Sequence, residues 1–140
     1  MLKRRILSVL LVLAMLVPFA GAAQTAQDNM RGVWVASVAN IDYPSSAGMT
    51  AQALAAEADT MLDNIAAMGL NTVFLQVRPS ADALYRSGLF PQSRYVSGTC
   101  GASPDGDFDV LAYWVEGAHK RGLQLHAWIN PYRITRNGRE

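Results

Sequence analysis

Met68-Gly69-Leu70-Asn71-Thr72-Val73-Phe74-Leu75-Gln76-Val77-Arg78-Pro79 is the stretch on which the reading of the fold turns. Gly69 stands where a left-handed residue closes a helix. From Thr72 the pattern changes to a period of two, which predicts a strand ended by Pro79. Val73, Leu75 and Val77 form its apolar face, and Thr72, Phe74, Gln76 and Arg78 form the other. The same joint recurs at Arg121-Gly122-Leu123-Gln124. It leads into a strand over Leu123 to Ile129, in which Leu123, Leu125, Ala127 and Ile129 oppose Gln124, His126, Trp128 and Asn130.

Upstream of the first joint, Leu54, Ala58, Met61, Leu62, Ile65 and Met68 fall at spacings of three and four, so a helix is expected there, capped by Thr50. Before it, Gly32 to Ala39 (GVWVASVA) reads as a strand, and Asn40 to Ser46 as the loop after it. The segment from Ser80 to Gly106 is rich in Gly, Ser, Pro and Tyr and has little periodicity. Asp107 or Asp109 then opens a second helix, with Leu111, Trp114, Val115 and Ala118 on one face. His119, Lys120 and Arg121 occupy its last turn, where cations suit the helix dipole.

The order β-α-β-α-β argues for a parallel sheet with right-handed crossovers. No Gly-x-Gly-x-x-Gly follows the first strand, so a dinucleotide-binding unit is disfavoured. In an open sheet covered on both faces, central strands read as continuous apolar runs. Here the second and third strands alternate, as suits one face under helices and one face lining a crowded, partly polar barrel interior. The expected class is α/β, the N-terminal portion of a (β/α)8 TIM barrel with about three strands and two helices. Such a barrel takes ~250 residues. Residues 30–140 are therefore expected to form a barrel domain truncated at its C-terminus.

The chain has 140 residues, 51% hydrophobic and 16% charged, with a formal net charge of +1 that points to no nucleic-acid partner. Lys3, Arg4 and Arg5 precede a run from Ile6 to Val17 in which only Ser8 is polar, followed by Pro18 and Ala20-Gly21-Ala22-Ala23. A basic segment, a short apolar segment and a small-residue cleavage site describe a signal peptide over residues 1–23. The expectation is export to the periplasm or the extracellular space, with no stable membrane insertion after cleavage. No Cys follows the apolar run, which argues against a lipid anchor. Without its leader the chain keeps nine basic against eleven acidic residues.

Three segments then become specific. They are Arg31-Gly32-Val33-Trp34-Val35-Ala36-Ser37-Val38-Ala39-Asn40-Ile41-Asp42, Phe74-Leu75-Gln76-Val77-Arg78-Pro79-Ser80-Ala81-Asp82-Ala83-Leu84-Tyr85, and the stretch from Ala118 through His126-Ala127-Trp128-Ile129-Asn130-Pro131-Tyr132-Arg133. Together they resemble the glycosyl-hydrolase-like family 10 domain over about Met30 to Arg133. The resemblance implies a barrel glycosidase acting on peptidoglycan glycan strands stripped of their peptides. Three positions depart from the family pattern. Tyr43 stands for Trp in an Asp-Trp-Pro-Ser turn, Gln92 for the Trp of Pro-Trp-Ser, and Val110 for the Pro of Asp-Pro-Leu. All three are read as loop or helix-start changes that bear on substrate specificity and not on fold.

Barrel active sites lie at the C-terminal ends of the strands. The first strand brings Asn40 and Asp42 there, the second Gln76, Arg78 and Asp82, and the third His126, Trp128, Asn130, Tyr132 and Arg133. Amides, guanidinium groups and aromatic platforms are what sugars need, since sugars present hydroxyls around apolar ring faces. Each residue also has a structural reading. Asn40 and Asp42 could shape a loop, Arg78 and Asp82 could pair, and His126 could be an interior histidine. Trp34 and Phe74 read as barrel filling, and Trp128 fits either role.

Glycoside hydrolysis usually needs two carboxyl groups flanking the bond. Only Asp42 and Asp82 sit at strand ends, so the catalytic residues stay unassigned and are expected further along the barrel. Asp105-x-Asp107-x-Asp109 has calcium-loop-like spacing, but Gly106 lies between the first two acids and no Glu completes it, so helix capping explains it better. No metal and no cofactor is implied. Cys100 is the single cysteine, a free thiol or half of a bridge to another segment. The expected activity is that of an exported glycoside hydrolase with a glycan substrate. The rivals are a carbohydrate-binding pseudo-enzyme on the same barrel and a metal-dependent barrel hydrolase. The second is weak, because His126 has no second His or Cys at ligand spacing.

Overall fold

The structure, a computed structural model, describes residues 29–104 and 108–134. The leader read at residues 1–23, and with it Asp105 and Asp107, lies outside these residues. Strand β1 (Gly32–Val35) is followed by a 3-10 turn (Val38–Asn40), helix α1 (Ala51–Ala67) and strand β2 (Thr72–Arg78). A short helix α2 (Arg94–Ser97), helix α3 (Val110–Lys120) and strand β3 (Gln124–Ile129) complete the described order.

Helix α1 begins where the Thr50 side chain accepts a hydrogen bond from Ala53 N at 3.2 Å, and it closes at Gly69 with φ 73°. It buries Leu54, Ala58, Leu62 and Ile65 along one stripe. Helix α3 starts at Asp109, whose Oδ1 accepts from Ala112 N at 2.9 Å. It buries Val110, Trp114, Gly117 and Ala118. The helices meet closely at Gly117, where an added β-carbon would lie 2.8 Å from Leu62 Cδ1. Arg121 ties them further. Its Nε donates to Asp63 at 2.7 Å and its Nη2 to Asp59 at 3.1 Å, and the Tyr113 hydroxyl donates to Asp59 at 2.6 Å.

The sheet has three strands in the order β1-β2-β3, all parallel. In register, Trp34 stands beside Phe74 and Phe74 beside His126, while Gln76 stands beside Trp128. The ladder is irregular between Gln76 and Arg78. Val73, Leu75 and Val77 are buried with Leu54, Leu62, Trp114 and Leu123 in one core, so α1 and α3 share one face of the sheet. This is an α/β unit compatible with part of a barrel. No described helix is long and apolar enough to cross a membrane.

The structure corrects the sequence reading in four places. The first strand stops at Val35, because Ser37 N and Val38 N donate to the side chain of Gln76 instead of to a ladder, and Ala39 and Asn40 turn left-handed at φ 57° and 53°. The segment read as loop contains α2, capped by Ser93, and a parallel bridge between Ala83 and Gln92. The third strand begins at Gln124, since Leu123 N donates back to Ala118 O in the helix end. Tyr43, read as a loop position, is wholly buried: its hydroxyl donates to Leu54 O at 3.1 Å and its ring meets Trp114 edge-on at 4.9 Å. The Tyr for Trp difference therefore falls in the core.

Candidate functional site

Gln76 organises the exit from β1. Its side-chain Oε1 accepts from Ser37 N at 3.0 Å and from Val38 N at 2.9 Å, while the Ser37 hydroxyl donates to Gln76 O at 2.8 Å. The residue is wholly buried, and its Nε2 has no partner. The turn that follows is held by its own polar side chains. Asn40 Nδ2 donates to Pro44 O at 2.8 Å and to Tyr95 O at 2.7 Å, which ties the turn to α2. Asp42 Oδ2 accepts from Ala36 N at 2.7 Å, and Asp42 N donates to Ala36 O at 3.0 Å. Asn40 and Asp42 are thus placed at the strand end as expected, with these groups engaged by the chain's own backbone.

At the end of β2 the guanidinium of Arg78 lies over the ring of Phe90, 3.8 Å from its centroid, with Nε buried and unpartnered. Asp82 is 6% exposed and accepts from Ser80 N at 2.9 Å. Arg78 and Asp82 form no ion pair; one packs on a ring and the other closes a tight turn. Beyond them lies a cavity of about 330 Å³, lined by Ser80, Asp82, Arg94, Tyr95, Cys100 and Ile134. Cys100 is exposed and free among the described residues.

Asn130 joins the ends of β2 and β3. Its backbone N donates to Arg78 O and its Nδ2 to Pro79 O, both at 3.0 Å, and its Oδ1 accepts from Trp128 Nε1 at 3.0 Å. That last bond fixes the indole of Trp128 against Trp34, with ring centroids 5.1 Å apart and edge to face. Trp34 stacks on Phe74 at 4.6 Å, and Phe74 on His126 at 5.1 Å. Four aromatic rings therefore tile the face opposite the helices, with Trp34 59% exposed and His126 also at the surface. Tyr132, 95% exposed, and Arg133 lie in solvent.

The structure therefore brings Gln76, Arg78, Trp128 and Asn130 together and sets Asp82 beside the adjacent cavity. Asn40 and Asp42 stand on the neighbouring turn, and Tyr132 and Arg133 are exposed. Sequence reasoning missed Ser37, Phe90 and Tyr95, which touch Gln76, Arg78 and Asn40 across the fold, and only Ser93 before α2 carried a local signal, as a helix cap. Chemically the arrangement offers a hydrophobic shelf for flat ring faces beside fixed polar groups. Both strand-end carboxylates, Asp42 and Asp82, are engaged by backbone N–H groups. Among the described residues no group of three or more His, Cys, Asp and Glu could hold a metal ion.

A family model described as glycosyl hydrolase-like 10 matches residues 29–140. The chain is similar to glycosyl hydrolase YngK of Bacillus subtilis (strain 168), 46% identical over 121 residues, covering 86% of this chain and 23% of that protein. It is also similar to glycosyl hydrolase DigH of Escherichia coli (strain K12), 36% identical over 136 residues, covering 89% of this chain and 30% of that protein. The chain thus spans only 23% to 30% of the length of these relatives.

Proposed function

The chain belongs to the glycosyl hydrolase-like 10 family, and from that premise we propose that it supplies the opening strands of an exported (β/α)8 glycoside hydrolase that cleaves peptidoglycan glycan strands. The observation that carries this reading is the cluster of Arg78, Trp128 and Asn130 at the C-terminal end of the sheet, where barrel enzymes bind substrate, with the Trp34 and Phe74 rings packed behind Trp128. Sugar rings stack on such rings through their axial C–H faces, while their hydroxyls reach the polar rim. The basic, apolar and small-residue order of residues 1–23 supports export.

In the proposed reaction water adds across the glycosidic bond. The C1–O bond breaks, the leaving oxygen takes a proton from a carboxylic acid, and the anomeric carbon receives the water oxygen, directly or after a covalent intermediate. The described strands bind and orient the sugar. The two carboxyl groups come from strands further along the barrel, because Asp42 and Asp82 are built into turns. The fit with relatives several times longer than this chain supports that division of labour.

The test is incubation of the whole protein with purified peptide-free glycan strands, reading the appearance of new reducing ends. Cleavage to short saccharides is expected. Retention of the strands without cleavage would instead mark a binding pseudo-enzyme. N-terminal sequencing of the exported protein should start near Gln24, and a sequence starting at Met1 would defeat the export reading.

A further inference from the structure

Ala39 and Asn40 are consecutive left-handed residues, φ 57° and 53°, and neither is glycine. Such backbone is costly for a residue with a β-carbon, and it persists only where the surroundings hold it from several sides. On the entry side Gln76 Oε1 accepts from Ser37 N and Val38 N. Inside the turn Asn40 N donates to Ser37 O at 3.0 Å. On the exit side the Asn40 side chain reaches two carbonyls, Pro44 O at 2.8 Å and Tyr95 O at 2.7 Å. Both partners are carbonyl oxygens, so the amide presents its Nδ2 to them, and an amide NH2 has two hydrogens to donate. The chain engages both. Asn40 is therefore not a donor to a sugar hydroxyl, and its effect on a substrate passes through what it holds.

What it holds is α2. A helix of four residues does not stand by its own hydrogen bonds. Those bonds run to Ser93 O and Arg94 O, while Tyr95 O accepts from Asn40 and Val96 O accepts from Gly48 N at 2.7 Å. The connection after β1 thus grips two successive carbonyls of α2, across a separation of 55 residues at Asn40. Arg94 and Tyr95 in turn line the cavity with Ser80 and Asp82, just past the end of β2. All of these bonds lie within the connections that follow β1 and β2, so they do not depend on strands further along the barrel.

We propose that Asn40 is a positioning residue, which acts through Tyr95 O to fix the Arg94–Tyr95 wall of this cavity relative to the ends of β1 and β2, so that the glycan meets a preformed rim. This rests on the glycan reading above. A wall fixed beforehand removes an ordering cost from binding, so the residue shows in affinity more than in the chemical step. Asparagine suits both halves of the task. It tolerates left-handed backbone better than most side chains, and its amide carries two N–H donors.

The experiment uses the whole protein and compares the wild type with Asn40→Gly, Asn40→Asp and Ala39→Gly. Glycine keeps the left-handed turn without the donors, and aspartate keeps the shape but turns an acceptor toward the two carbonyls. Ala39→Gly relieves the backbone with both bonds intact. The readouts are amide hydrogen exchange over residues 93–98, melting temperature, and KM and kcat on glycan strands. In both Asn40 variants exchange over 93–98 should quicken about tenfold relative to β2. KM should rise about tenfold, the worth of about one lost hydrogen bond, with kcat within about twofold of wild type. Ala39→Gly should keep the exchange and the KM of the wild type. Unchanged exchange over 93–98 in the Asn40 variants overturns the proposal. Quickened exchange with unchanged KM also overturns it, because the tie is then structural alone, and a raised KM in Ala39→Gly overturns it by assigning the effect to strain. If one Asn40 variant does not fold, the other carries the comparison. If the wild type binds the strands but does not cleave them, the glycosidase reading fails on its own, and the dissociation constant takes the place of KM with the same outcomes. Failure of the wild type to bind the strands overturns both.

Discussion

The side-chain carbonyl of Gln76 accepts hydrogen bonds from two consecutive backbone N–H groups across the sheet, Ser37 at 3.0 Å and Val38 at 2.9 Å. This pair of bonds converts the end of β1 from strand to turn and sets where Asn40 and Asp42 stand. Gln76→Ala would leave two N–H donors without their acceptor, one buried and one part-buried. Each orphaned group costs ~1–3 kcal/mol. The expected result is a clear drop in the denaturation midpoint, with Gln76→Glu, which keeps the acceptor, losing less. Equal losses in the two variants would mean that the acceptor is not what holds the turn.

That relationship also shows what was legible in the sequence. The alternation of Val73, Leu75 and Val77 against Phe74, Gln76 and Arg78 is a local signal, and the sheet obeys it, as do the caps at Thr50 and Asp109. The turn at Val38–Asn40 is not local, because its cause lies 39 residues away in Gln76. The left-handed φ of Ala39 had no glycine to announce it. Tyr43 sits among loop-forming residues, and only the approach of Trp114 and Leu54 makes it core. At the candidate site the residue types were readable, while the partners that hold them, Phe90 under Arg78 and Tyr95 beside Asn40, were not.

Tyr43 carries the second prediction. Burial pushes its phenol above the ordinary tyrosine range, so the hydroxyl stays protonated in the folded protein. A raised folded-state pKa contributes stability that is complete below the unfolded value of ~10 and is lost as pH rises through the folded value. Spectrophotometric titration should show this phenol ionising only as the domain unfolds in alkali. Tyr43→Phe should cost about 1 kcal/mol, the loss of one hydrogen bond, and should remove that late-ionising phenol. Ionisation near pH 10 with the fold intact would contradict the burial.

The clamp between α1 and α3 gives a prediction at the acid end. The hydrogen bond from Arg121 holds the Asp63 carboxyl below its ordinary value. A depressed folded-state pKa contributes stability that is present above the unfolded value and is lost as pH falls through the folded one. Asp63→Asn should therefore lower the melting temperature slightly at neutral pH, because the pair is solvent-exposed. The difference from wild type should shrink as pH drops below ~4. A difference that persists unchanged to low pH would mean that the side chain acts through shape and not through charge.

Asn130 and Val77 separate site from scaffold. Val77 is 1% exposed within the core, so Val77→Ala opens a cavity costing about 2 kcal/mol and should lower the melting temperature with little change in turnover per folded molecule. Asn130 sits otherwise: Nδ2 holds Pro79 O, and Oδ1 holds the indole of Trp128 that meets Trp34 edge-on. Asn130→Ala frees the Trp128 ring and slackens the exit of β2, so glycan cleavage should fall by much more than the lost stability explains. Asn130→Asp keeps the acceptor for Trp128 but loses the donor to Pro79, and should recover the ordering of the indole before it recovers stability. The readouts are cleavage of peptide-free glycan strands, melting temperature, and tryptophan fluorescence quenching as a measure of Trp128 exposure. If Asn130→Ala lowers activity only in step with melting temperature and leaves the quenching unchanged, the bond to Trp128 does not shape the aromatic shelf, and Asn130 is a bolt between two strands.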